Sequence, residues 1–153
     1  MDEASALQRV QALLEEIFEP PLEMTDQKVF HFNRGSASVL VMVVTGGDGV
    51  PATRVASPVI MDVEKTAELL DTLNLMNHGM EFARAYWANG TVWAAVDLLA
   101  ETLDRQELER AMSVVGEWAD SVDDALVQRF GGIMPNAPQA PSPAEAWMAG
   151  SVT

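Results

Sequence analysis

The stretch Val39-Leu40-Val41-Met42-Val43-Val44 is apolar at every position. Its β-branched character marks it as a strand, and successive strand side chains point to opposite faces of a sheet. Both faces of the sheet at this strand therefore need cover. In an antiparallel sheet one face ordinarily meets water. Here a helix, a partner subunit or a ligand has to shield the second face as well.

The remaining periodicity supplies candidate covers. Leu7, Val10, Leu14 and Ile17 recur at helical steps and predict a helix over Ser5 to Phe18, ended by Pro20-Pro21. Three strands follow, over Lys28 to Phe32, Ser38 to Thr45 and Thr53 to Ile60. The turn Gly46-Gly47-Asp48-Gly49 separates the last two, and Pro58 suggests an edge or a strand end. A second helix is predicted from a cap at Asp62 to about Asn77, with Val63, Thr66, Leu70 and Leu73 on its stripe and Asn77-His78-Gly79 as its stop. Glu81 to Trp87 and Thr91 to Leu98 read as a hairpin about Asn89-Gly90. A third, long helix starts at a capping box of Asp104 and Glu107 and runs to Phe130, where Gly131-Gly132 ends it. The fold class is α+β: helix, three strands, helix, two strands, helix, with an antiparallel sheet and helices packed on it.

The domain expected from this order covers residues 1–132. Residues 133–153 form a tail with Pro135, Pro138, Pro141 and Pro143. Within it Ser142-Pro143-Ala144-Glu145 reads as a helix start. A helix through Trp147 and Met148 would be too short to hold alone in water. These two residues are the expected anchor of the tail on some docking surface, in its own subunit or a neighbouring one.

Composition narrows the function. The formal net charge is −14. Such a surface repels nucleic acid and anionic lipid, since both demand clustered Lys and Arg. With no cysteine, disulfides, thiolate chemistry and Cys-based zinc sites are excluded. The acidic start Met1-Asp2-Glu3 does not resemble a secretory signal, and no apolar run approaches the roughly 20 residues of a membrane span; the expected location is the cytoplasm. His31 and His78 belong to no ligand or catalytic pattern, Asp120, Asp123 and Asp124 read as a solvated helix face, and Gly46 to Gly49 lacks what a phosphate loop requires. The expectation is a protein without catalysis, cofactor or metal.

Candidate contact residues are those that could be core or groove: Phe30, Phe32, Val41, Val43, Trp87 and Trp93. Period two puts Arg84 with Tyr86 on one face of their strand and Ala85 with Trp87 on the other, so at least one aromatic should face away from the helices. Asn74 and Asn77 share one face of the second helix. They are read either as a polar pair bonding to backbone across an interface or as helix-end caps.

Leu73-Asn74-x-x-Asn77, the aromatic strand Phe82 to Trp87, the turn Asn89-Gly90, the strand Val92 to Asp97 and the helix ending Phe130-Gly131-Gly132 complete a pattern. From Ser5 to about Gly132 this pattern and the order of elements resemble the type III secretion chaperone-like fold, including the YbjN-like proteins. The resemblance implies a dimeric or dimer-capable helix–sheet sandwich. It implies binding of extended or partly folded segments of other proteins through apolar grooves, or a regulatory role. The function expected is that of a chaperone or adaptor, a homodimer whose partner is a polypeptide segment or client protein. The alternative is a regulatory or sensory domain that binds a small molecule.

Overall fold

The computed structural model describes residues 1–150. The elements are α1 (Glu3–Ile17), β1 (Phe30–Arg34), β2 (Ala37–Thr45), β3 (Pro51–Ile60), α2 (Ala67–Gly79), β4 (Arg84–Ala88), β5 (Thr91–Leu99), α3 (Arg105–Phe130) and α4 (Pro143–Gly150). The strands form one antiparallel sheet in the order β1-β2-β3-β5-β4.

Helices α1, α2 and α3 all lie on one side of this sheet, its inner face. Val10 and Leu14 of α1, Leu69 and Leu73 of α2, and Leu108, Met112, Val115 and Leu126 of α3 pack on Phe30, Val39, Val41, Val55, Val92 and Val96. Each such side chain, removed fully from water, contributes about 1.5–3 kcal/mol. The long helix begins as its sequence demands. The Asp104 carboxylate accepts from the Glu107 N–H at 2.8 Å, and the Glu107 carboxylate accepts from the Asp104 N–H at 3.2 Å. Buried Leu103 and Leu108 flank this box at the two positions of a hydrophobic staple.

The other side of the sheet, its outer face, buries Val29, Leu40, Met42, Ala56, Trp93 and Ala95. Its cover is α4, through Ala144, Ala146 and Trp147. The tail reaches that side along the body of the molecule. Ile133 exchanges backbone hydrogen bonds with Met61 at 2.8 and 2.9 Å. Asn136 donates to the Ser36 carbonyl at 2.9 Å. The end of the tail, residues 151–153, lies outside the described residues.

Several local expectations need correction. Thr66, not Asp62, caps α2: its hydroxyl accepts from the Leu69 N–H at 3.1 Å, while Asp62 sits at φ 52. Strand β4 begins at Arg84 and not Glu81, because Phe82 adopts φ 74, outside the extended region. Pro58 is not on an edge strand. β3 is interior, and the proline lies near its end, where pairing with β5 slips between Pro58 and Ile60; a missing N–H is tolerated at such an irregularity. Nor is the aspartate group on α3 simply solvated. Asp123 is buried, with a carboxylate oxygen 2.7 Å from the Ser36 hydroxyl; Asp120 accepts from the Ser36 N–H at 2.8 Å and shares the single hydroxyl hydrogen with Asp123. Both grip the β1–β2 turn, and these bonds lower the Asp120 pKa.

Candidate functional site

Strand register decides what the outer face presents. Met42 of β2 stands opposite Arg54 of β3, and Arg54 opposite Asp97 of β5. In the next row Leu40 meets Ala56, Ala56 meets Ala95, and Ala95 meets Arg84 of β4. One row further, Trp93 lies between Pro58 and Tyr86. An apolar middle thus grades into an aromatic and charged end at β5 and β4.

The charged end is a single connected group. Arg54 makes a fork on Asp97, with Nε to Oδ1 at 2.6 Å and Nη2 to Oδ2 at 2.7 Å. Arg84 adds a third bond to Oδ2 at 3.2 Å. Burial works to raise the Asp97 pKa, but the bonds and charges of Arg54 and Arg84 outweigh it and hold the carboxyl below its ordinary value. Burial pushes the Tyr86 phenol up, against the pull of the two arginines. Arg84 also lies over the Tyr86 ring, 5.5 Å from its centroid.

Trp147 enters this group from α4. Its ring meets that of Trp93 edge to face, with centroids 5.4 Å apart at 87°, and Arg54 lies 5.3 Å from its centroid. The Asn89 side chain, at the tip of the β4–β5 hairpin, donates to the Ala149 carbonyl at 2.9 Å and ties down the far end of α4. Between helix and sheet a cavity of about 500 Å³ remains, bounded by Val44, Arg54, Tyr86, Ala88, Trp93 and Trp147, with Arg84 at its side. Met148 borders a smaller cavity near Val43 and Lys28. Such a space, mostly apolar with convergent polar groups, suits a side chain or short segment of another molecule.

Of the six candidate contact residues, only Trp93 lies on this face. Phe30 and Val41 are fully buried in the inner core, and Phe32, Val43 and Trp87 pack against it. Phe32 meets Phe18 with ring centroids 4.9 Å apart, and the Trp87 indole N–H donates to the Val63 carbonyl at 2.9 Å. Arg54, Arg84, Tyr86 and Asp97 are not among the residues that the sequence singles out as a site. Their signal was the alternation that sets Tyr86 with Arg84 and Asp97 with Trp93, and only the register joins the two sets.

Asn74 and Asn77 are placed differently. Asn77 turns to the edge strand β4, donating to the Ala85 carbonyl at 2.9 Å and accepting from the Ala85 N–H at 2.7 Å. It closes part of that edge within its own chain, while Asn74 is exposed. An unpaired strand edge is a template for a further strand, so Asn77 removes the Ala85 position of β4 from that use.

No curated protein shows significant similarity to the sequence. Over residues 4–136, however, it matches the model of the family TY-Chap1, described as T3SS (YopN, CesT) and YbjN peptide-binding chaperone 1. The chain belongs to the TY-Chap1 family. Solved structures share the fold. A chain of the ExsC–ExsE complex is similar with a TM-score of 0.61 and 14% identity, over 82% of this chain and 97% of that one. A chain of the HopA1–SchA chaperone–effector complex gives 0.60 and 14%, over 81% and 99%. The resemblance read in the sequence is thus to the right family and fold. The match of this TY-Chap1 chain ends at residue 136, ahead of α4, so the segment that covers the outer face lies beyond the shared unit.

Proposed function

We propose that this protein is a non-enzymatic chaperone or adaptor that receives an extended or partly folded polypeptide segment on the outer face of its sheet. The observation that carries the reading is the unequal cover within a peptide-binding family fold. The inner face is closed by three helices, whereas the apolar outer face is closed by one helix of 8 residues. The protein would act in the cytoplasm and as a homodimer. A groove of about 640 Å³ between α2 and α3, bordered by Met76, Trp118 and Leu75, the last 71% exposed, offers a second copy an apolar surface. Light scattering across a concentration series tests the dimer.

Peptide binding is tested by photo-crosslinking in the native cell. A benzophenone amino acid in place of Tyr86 probes the outer face, and the same group in place of Asn74 serves as the control. Adducts with polypeptides other than a second copy of this chain are expected from Tyr86 and not from Asn74, which adjoins the dimer groove. Equal labelling of such polypeptides from both sites, or labelling from neither, overturns the reading.

A further inference from the structure

The outer face has a cationic end that α4 leaves unmatched. Among the described residues Arg54 and Arg84 share one carboxylate, Asp97, which gives this corner an excess positive charge on a chain whose net charge is −14. A guanidinium has five N–H donors, and Arg84 gives one of them to Asp97. Trp147 fills the apolar side of the group without bringing an anion. The neighbouring acid, Glu145, is engaged in its own helix cap: its carboxylate accepts from the Ser142 N–H at 3.3 Å, and its N–H donates to the Ser142 hydroxyl at 3.1 Å.

The hold of α4 is also slight. It has 8 residues, fewer than the roughly 12–15 at which an isolated helix becomes even marginal in water. Its Met148 is 40% exposed. Its aromatic anchor sits beside an open cavity rather than in a closed one.

We propose that the space between α4 and the outer face is a site for a peptide segment carrying an aromatic residue beside acidic ones, and that Trp147 is its intramolecular competitor. The inference rests on the peptide-binding reading above and names the kind of segment that reading leaves open. Such a segment replaces the aromatic contact of Trp147 with its own and adds carboxylates for Arg84 and Arg54, which α4 does not supply. While α4 is seated, only a fraction of molecules is competent to bind, and the apparent affinity falls by that fraction.

The test uses the full chain and a fluorescein-labelled synthetic peptide with one tryptophan among glutamates, read by fluorescence anisotropy. Two control peptides replace the glutamates by lysines or the tryptophan by serine. Trp147→Ala is expected to bind the acidic tryptophan peptide about tenfold more tightly than the unaltered chain, the gain anticipated if nine in ten molecules are self-occluded. Asn89→Gly, which suits the positive φ of 46 at that turn and removes the tie to Ala149, keeps Trp147 in place and should tighten binding by a smaller factor. Arg84→Glu in the Trp147→Ala background should abolish the preference for the acidic over the lysine peptide. No tightening in either released variant, or equal tightening for the lysine peptide, overturns the proposal. If crosslinks from Tyr86 persist in that case, the peptide-binding reading survives it; if they are absent too, both fall.

Discussion

The two faces of the sheet are built from the same strands and nearly the same apolar residue types, yet they are closed in different ways. Val39 and Val41 lie under helices of 15, 13 and 26 residues; Leu40 and Met42, one position along, lie toward a helix of 8. The long covers have wide apolar stripes, and charged groups that enter their contacts are held by protein partners, Asp123 by the Ser36 hydroxyl and Arg9 by the Leu103 carbonyl. The short cover rests on Ala144, Ala146 and Trp147, with a hydrogen bond from Asn89 at its far end, beside an arginine–aspartate group and an open cavity. Hydrophobic pattern states that a surface needs cover. The length and contacts of the cover state whether it can leave.

The comparison breaks if the inner face proves replaceable. Phe30→Ala, at a fully buried position, should cost about 3–5 kcal/mol in urea unfolding. A loss under about 1 kcal/mol would mean that the inner face is not the structural one. Asn77→Ala leaves the Ala85 backbone groups without their partner and should cost about 1–3 kcal/mol. The exposed neighbour Asn74→Ala should stay within about 0.5 kcal/mol, and equal effects would sink the edge-closing role.

The outer face should respond differently. Trp147→Ala is expected to lower the free energy of urea unfolding by only about 1 kcal/mol, the loss of a half-buried side chain, while raising the fluorescence of a hydrophobic dye. Unfolding as deep as that of Phe30→Ala would make α4 an integral part of the core. The smallest effect concerns acid. Asp97 titrates lower in the folded chain than in the unfolded one. Its contribution to stability is therefore complete above the unfolded pKa of 3.8 and disappears as pH falls through the lower folded value. Asp97→Asn should flatten the decline in urea midpoint over the acid range below about pH 4; an unchanged slope would show that the arginine pair does not hold that carboxylate.

Local signals accounted for much of this. The capping box at Asp104 and Glu107 acts within a single turn of chain, and the Asn89-Gly90 turn needs only two residues at positive φ, observed at 46 and 82. What was not legible followed from distance along the chain. Arg54 and Asp97 are separated by 43 residues, and nothing in either neighbourhood announces the other. Asn77 shows the same limit. Its place at a helix end was plain, but its partner is the backbone of a strand whose approach depends on how α2 packs.

From sequence alone came the order of elements, the demand for two covers on one sheet, and the weakness of a terminal helix too short to stand unaided. Those properties live in neighbouring residues, where propensity, capping and alternation operate. Only the tertiary structure decided that Phe30, Phe32, Val41, Val43 and Trp87 belong to the inner layer and that Trp93, Tyr86, Arg54, Arg84 and Asp97 meet outside it. Alternation separates the two sides of a strand but does not say which of them the helices will occupy; strand register and packing across the whole sheet make that choice.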